Sequence, residues 1–263
     1  MLKTRVIPCL LVQGQRLVKT IAFHNPRYVG DPINAVRIFN EKEVDELVML
    51  DITATVEKRP PNLRLISEMA SECFMPLAYG GGVRSLDDLQ SIFSLGVEKV
   101  VINSEAAARP EFVQDAAGKF GSQSVIVSID AKKRWFGGYE IRTRSGRQGT
   151  GLDPVRFACD MENAGAGEIF LNSIDRDGTM RGYDLDLIHA VSRAVSIPVI
   201  ACGGAGNLAD FTAAIKRGGA SAVAAGSMFV FHGKHRAVLI NYPSRRELEA
   251  TLDEITTGSD ARV

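Results

Sequence analysis

The sequence predicts an α/β protein closed into a (β/α)8 barrel, a TIM barrel, built from two similar half-barrels. Three observations lead there. Eight short apolar runs, at roughly 5–11, 46–51, 76–79, 98–103, 124–130, 168–173, 198–202 and 221–226, are each followed by a helical pattern. The runs lack polar alternation, as strands buried on both faces do. The second half of the chain also repeats the first. An open doubly wound sheet shares the alternation but does not predict equal halves.

Taken in order, the elements show the repeat directly. The first strand, Val6-Ile7-Pro8-Cys9-Leu10-Leu11, parallels Val125-Ile126-Val127-Ser128-Ile129-Asp130 at an offset of 119. A long connection follows, Gln15 to Pro32, carrying Lys19, His24 and Arg27. In a barrel it lies over the C-terminal mouth and reads as a lid. The second strand, ending at Asp51, parallels the run that ends at Asp175, offset by 124. PLAYGGGVRS from Pro76 parallels PVIACGGAGN from Pro198, and Gly80 and Gly203 share with Ser104 and Ser227 an offset of 123. Helix starts are marked by Ser85 with Asp88, Pro110 with Glu111, Asp153-Pro154, and Ser244 with Glu247 as a capping box. The segment Lys132 to Gly151 reads as a β-hairpin turning at Gly137-Gly138. Its six cations screen an anionic substrate or form a solvated surface.

Composition bounds the function. The 263 residues, 45 % hydrophobic, suffice for one full-sized core, so residues 1–263 are expected to form a single domain. Formal net charge is zero, so no global field favours nucleic acid or an anionic membrane. Cys9, Cys73, Cys159 and Cys202 form no CxxC pair and read as buried thiols in a reducing compartment. No metal and no cofactor is expected. The apolar run near the N-terminus is too short for a signal peptide, nothing approaches a membrane span, and a cytoplasmic location is expected.

Chemistry in such a barrel sits where strands end. Glycine loops running into helix starts present backbone N–H groups and a positive dipole end, which suits phosphate. One such loop in each half predicts a ligand with phosphate at both ends. Asp130, following a purely apolar run, is the leading general acid or base, its pKa raised by the barrel wall. Asp51 is the second catalytic candidate; it and Asp175 also read as groups that orient loops or bind hydroxyls. Asp177-Gly178 reads as a turn whose glycine admits a phosphate. At the opposite ends of the strands stand Arg5, Glu46, Lys99 and Glu168, two of each sign. The sequence alone favours a salt-bridge layer closing the floor over a gate for a small neutral molecule.

Together these motifs resemble the cyclase subunit of imidazole glycerol phosphate synthase, the HisF family. The resemblance spans nearly the whole chain: IPCL, DELVMLDITATVEKR, YGGGVRS, KVVINS, FGSQSVIVSIDAKK, GAGEIFLNSIDRDGT and ACGGAG. It implies phosphate contacts at Gly82, Asn103 and Ser104 in one half and at Gly178, Gly204 and Ser227 in the other. It implies ammonia delivered by a docked HisH-type glutaminase through an ammonia gate of Arg5, Glu46, Lys99 and Glu168, with Gln123 at the docking face. The family reaction adds ammonia to a bis-phosphorylated ribulosyl formimino-aminoimidazole ribonucleotide, then cleaves it and closes an imidazole ring. Two aspartates act as acid and base. One matches Asp130; the other should follow IPCL, and here that residue is Leu11. The internal repeat agrees, since Leu11 is the mirror position of Asp130.

Leu11 and the ending VAAGSMFVFHGKHRAVLINYP resemble a paralogous branch associated with surface polysaccharides, the acetamidino-sugar (WbuZ/AglZ-like) proteins. That resemblance implies a barrel and glutaminase supplying ammonia to a sugar amidotransferase. Two other readings stand: a working histidine-pathway cyclase in which Asp51 or a lid residue compensates for Leu11, and a non-catalytic ammonia conduit that activates the glutaminase.

Overall fold

The computed structural model describes residues 4–253. The first half of the chain runs β1 (Arg5–Gln13), β2 (Arg16–Ile21), β3 (His24–Gly30), α1 (Pro32–Glu41), β4 (Leu47–Asp51), α2 (Leu63–Ala70), β5 (Leu77–Gly80), α3 (Leu86–Ser94), β6 (Lys99–Ile102), α4 (Ser104–Ala108) and α5 (Pro110–Phe120). The second half runs β7 (Val125–Lys133), β8 (Tyr139–Thr143), β9 (Gln148–Gly149), α6 (Pro154–Asn163), β10 (Glu168–Ser173), α7 (Leu185–Ser192), β11 (Val199–Cys202), α8 (Leu208–Lys216), β12 (Ala222–Ala225), α9 (Ser227–Val230), β13 (Phe231–His232), β14 (Ala237–Val238) and α10 (Arg245–Asp253).

Eight strands close a parallel ring. The order is β1, β4, β5, β6, β7, β10, β11, β12, and β12 returns to β1 with Arg5 beside Ala222. All eight predicted strands are present. β1 and β7 outrun the prediction because each continues past the rim into an antiparallel hairpin. The long first connection, expected as a lid loop, is therefore an ordered β2–β3 hairpin over the mouth. The predicted hairpin at Gly137-Gly138 is there, with Lys133 paired to Tyr139. None of the described helices is long and apolar enough to cross a membrane.

The halves match in detail. α1 and α6 both start on an aspartate cap followed by proline, Asp31-Pro32 and Asp153-Pro154. α3 and α8 both carry a full capping box: Ser85 with Asp88, and Asn207 with Asp210. The glycines that lead into them, Gly81 and Gly204, sit at φ +122° and +118°. A side chain there is excluded twice over, since a Cβ on Gly204 would lie 2.2 Å from the Gly182 carbonyl oxygen.

Two apolar layers result. Inside the ring Ile7, Val48, Ala78, Val101, Ile126, Phe170, Ile200, Ala222 and Ala224 pack against one another. Outside it the opposite strand faces meet the helices around Phe39, Met69, Ile92, Val113, Met161 and Phe211. The chain's end adds to this layer: Tyr242 packs on Phe229, with ring centroids 5.0 Å apart, and donates its hydroxyl to the Val6 carbonyl at 2.8 Å. Of the four cysteines, Cys9 and Cys202 are buried as expected, whereas Cys73 and Cys159 are only half-buried.

The floor is closed by charge. Arg5 bridges Glu46 at 2.5 Å and Glu168 at 2.7 Å; Lys99 bridges the same two carboxylates at 3.0 and 2.8 Å. Signs alternate around the ring, so each carboxylate faces two cations. Burial raises the Glu168 carboxyl, but Arg5 and Lys99 outweigh it and hold its pKa below the usual range. That stabilisation is present above the unfolded-state pKa and is lost as pH falls through the depressed folded value. Replacing Lys99 by methionine leaves Glu46, whose side chain is 2 % exposed, and Glu168 sharing one cation. Urea unfolding of Lys99→Met should show a loss of about 3–5 kcal/mol, the scale of a broken buried pair. A loss under about 1 kcal/mol would place the ring with solvated surface pairs.

Candidate active site

All eight strand C-termini open into one cavity of about 1280 Å³, its mouth to solvent included. Because the ring interior is apolar, the polar groups on its wall stand out. They include Asp51, Asp130, Ser128 and Asn172 on the strands, Asp177 on the loop after β10, and Lys19 and Thr20 on the β2–β3 hairpin.

Asp130 ends the regular part of β7. Burial pushes its carboxyl up to about 7, with the nearby Asp177 adding to the rise; hydrogen bonds with Asn172 and Ser128 work against it. A carboxyl poised there exchanges protons at neutral pH, which general acid–base chemistry requires. Asp177 is itself raised by burial, although Thr20 donates its hydroxyl to Oδ2 at 2.7 Å and Lys19 favours the charged form. Lys19 is 5 % exposed and donates Nζ to the Cys9 carbonyl at 2.5 Å. Burial lowers its pKa, opposed by Cys9 and Asp177. Its ammonium fits because Gly226 has no side chain: a Cβ there would lie 2.2 Å from Nζ.

Leu11 occupies the structural mirror of Asp130. Each is the strand residue at which a hairpin pairing begins, Leu11 with Val18 and Asp130 with Arg142. Each also pairs with the next barrel strand, at Leu50 and Asn172 respectively. So the whole first corner is apolar where the second is polar.

The other predicted residues fall into place as follows. Gly82, Asn103 and Ser104 line one side of the cavity, and Gly178, Gly204 and Ser227 the other. Gly82 N–H donates to Thr55 Oγ1 at 3.2 Å, Asn103 Nδ2 to the Ser128 carbonyl at 3.0 Å, and Ser104 Oγ accepts from Arg144 N–H at 3.0 Å. Asn103 and Gly226 share one backbone geometry, φ −116° and −113°, and each opens a short helix, α4 or α9. Asp51 reaches the cavity but spends Oδ1 on the loop after β4, accepting from Thr53 N–H, Thr53 Oγ1 and Ala54 N–H, with Arg59 3.6 Å from Oδ2. That places it as a loop anchor facing the site. Asp175 accepts from Lys133 N–H, pinning the two rim hairpins' neighbour loop. Arg5, Glu46, Lys99 and Glu168 meet at the far end, and Gln123 is exposed on the same floor, its side chain folded against Gly121. His24 and Arg27 are exposed on the lid hairpin, with Arg27 over the Phe231 ring at 5.5 Å. Among the described residues no cluster of three or more His, Cys, Asp or Glu is arranged to hold a metal ion.

Sequence reasoning read Asp177 as a turn and Lys19 as one of three lid residues. Both line the same cavity as Asp130. The available signal was position: Asp177 follows a strand C-terminus, and Lys19 sits in a short Leu-Val-Lys-Thr-Ile run rich in β-branched residues.

Comparison with known proteins fits this geometry. A family model described as histidine biosynthesis protein matches residues 5–236. A Pseudomonas aeruginosa protein with the provisional name imidazole glycerol phosphate synthase subunit hisF2 is 54 % identical over 95 % of this chain and 99 % of its own. A Leptospira interrogans protein provisionally named subunit HisF is 50 % identical over 95 % and 99 %, and a Vibrio vulnificus subunit hisF3, also provisionally named, 45 % identical over 96 % and 98 %. The chain belongs to the histidine biosynthesis protein family, in a paralogous branch of its HisF-type barrels.

Proposed function

We propose that this barrel is the ammonia-accepting subunit of a glutamine-dependent synthase, serving acetamidino-sugar synthesis rather than imidazole ring closure. The carrying observation is the corner at Leu11. A leucine paired with Val18 and Leu50 transfers no proton, whereas its mirror Asp130 keeps a full polar setting. The relatives' subunit names support a HisH-type glutaminase partner, which docks at the floor near Gln123. Ammonia enters between Arg5, Glu46, Lys99 and Glu168 and crosses an interior lined by Ile7, Val48, Ala224 and their neighbours. Such a lining favours neutral NH3 over the ammonium ion, whose desolvation is costly. At the mouth a ligand with two anionic groups spans the twin glycine turns at Gly82 and Gly204, which lie on opposite sides of Asp130. The sugar amidotransferase receives the ammonia or its adduct there.

A second reading has one observation in its favour. Asp177 and Lys19 bring a carboxylate and an amine to the same wall, enough to complete an acid–base pair with Asp130 in a working histidine-pathway cyclase. Ammonium salt with the ribulosyl substrate separates the two. Under the first reading the wild type turns over more than about a hundredfold below an ordinary cyclase, and Leu11→Asp recovers about 10²–10⁴-fold. Wild-type turnover within that hundredfold rejects it.

Three further outcomes follow. Filling the axis with Ala224→Leu should abolish glutamine-driven turnover while sparing the ammonium-driven reaction, at about 1–3 kcal/mol of stability; equal loss of both speaks against a passage. Asp130→Asn should lower turnover about 10²–10⁴-fold, and the wild-type rate should climb about tenfold per pH unit towards 7 and then level off. Because the folded-state pKa of Asp130 is raised, its contribution to stability is present below the unfolded value and lost as pH rises through about 7. Thermal unfolding should therefore show Asp130→Asn more stable than wild type at pH 8 and nearly equal at pH 4. An unchanged difference between the two pH values would mean the carboxyl is not raised.

A further inference from the structure

The hairpin that β7 sends past the rim ends in two aromatic residues that nothing in the described structure covers. Trp135 is 95 % exposed and Phe136 98 %. They are not on a loose loop. Arg134 N–H donates to the Gly138 carbonyl at 3.0 Å and Gly137 N–H to the Arg134 carbonyl at 3.2 Å, so the turn is closed and the two rings are held outward. Keeping two large aromatic side chains in water is unfavourable, and an exposed apolar tip of this kind marks a contact surface.

The charge around the tip says what surface. From Lys132 to Gly151 the chain carries six cations and one carboxylate, in a protein whose formal net charge is zero. Arg142 is paired with that carboxylate, Glu140, at 2.7 Å, and Lys133 lies 3.6 Å from Asp184. Arg134 uses Nη2 on the Gly151 carbonyl, which leaves its charge uncompensated, and Arg147 is exposed. The neutral balance of the whole chain thus hides a local excess of positive charge beside an apolar wedge.

We propose that the Trp135–Phe136 tip and its basic collar dock the barrel mouth on an anionic lipid bilayer. The tip enters the interface, where tryptophan is favoured, and the cations meet the headgroup phosphates. A protein partner fits less well. A stable interface takes about 800 Å² from each side, with a polar rim around an apolar centre; here two rings project alone from a cationic surround. Docking of this kind turns the cavity towards the membrane, where a lipid-carried substrate would present its head.

Trp135 is the protein's single tryptophan, so its fluorescence reports this one site. The intact protein is titrated with phosphatidylglycerol vesicles and, separately, with phosphatidylcholine vesicles at low salt. The expected result is a shift of emission to shorter wavelength with the anionic vesicles alone, reversed by added salt. Phe136→Ser, which keeps the reporter, should weaken the effect, and Arg147→Gln should weaken vesicle binding about fivefold. These positions are on the surface, so an unchanged melting temperature confirms that the variants are folded. No shift with either vesicle overturns the proposal, as does an equal shift with both. Cosedimentation with vesicles while Trp135 emission stays that of a solvated indole overturns it too, since another face would then be bound.

Discussion

A parallel strand in a closed barrel is covered by helices outside and by the other strands inside, so its middle admits little but hydrocarbon. That constraint drives every polar function of this protein to one of two ends. Ile7, Val48, Ile126, Phe170 and Ile200 fill the interior. Below them lies the ring of Arg5, Glu46, Lys99 and Glu168; above them lie Asp130, Asp177 and Lys19. The same low-polarity interior acts on both groups with opposite results. At the floor, opposite charges alternate and hold Glu168 ionised. At the mouth, two carboxylates face each other with fewer compensating partners, and both are pushed up. The floor is built for permanent charge, and the mouth for charge that changes.

Duplication explains why the mouth has two sides. Equivalent caps, equivalent glycine conformations and equivalent hairpins give each half a turn of the same shape facing the cavity. A ligand gripped at both turns is held across the strand ends that carry Asp130. The hairpins depart from that equivalence. β2 turns inward and buries Lys19 beside Cys9, whereas β8 belongs to a hairpin whose tip stands away from the domain. The tail joins the inward one: Arg236 lies over the Phe231 ring at 4.7 Å and donates to the Gly178 carbonyl, so the lid hairpin, the tail and the Asp177 loop brace one another.

Strand positions, helix caps and the two-fold repeat were legible because each rests on local chemistry. An apolar run of four to six residues cannot be solvated, and Ser85 with Asp88 satisfies orphan amides wherever that helix points. The floor was legible as a salt-bridge layer because the predicted barrel puts all four charges at the same strand ends, and its closure brings positions 5 and 168 within 2.7 Å. Asp177 and Lys19 were not legible as partners. Nothing local distinguishes Asp177 from the other aspartates of its loop; its role comes from Thr20 and Phe23, more than 150 residues away along the chain. Lys19 read only as a lid residue, and the room for its buried ammonium lies at Gly226, a position whose importance is the absence of a side chain.

The apolar corner at Leu11 bears on the proposed departure from cyclase chemistry. A single lost aspartate in an otherwise polar corner would leave donors and acceptors without partners, which is costly in a buried wall. Here Leu11 pairs with Val18 and Leu50, both apolar, and the buried oxygen without a hydrogen-bond partner is Oδ2 of Asp51, the residue after Leu50. The strand partners of Leu11 are thus apolar on both sides. The carboxyls that burial raises, Asp130 and Asp177, line this mouth with Asn172 and Ser128, and Lys19 approaches from the lid. An amination that needs one base to take up a proton from ammonia is compatible with a one-sided arrangement. A ring closure that needs an acid and a base on opposite faces of the substrate is not, unless Lys19 reaches across the ligand from the lid.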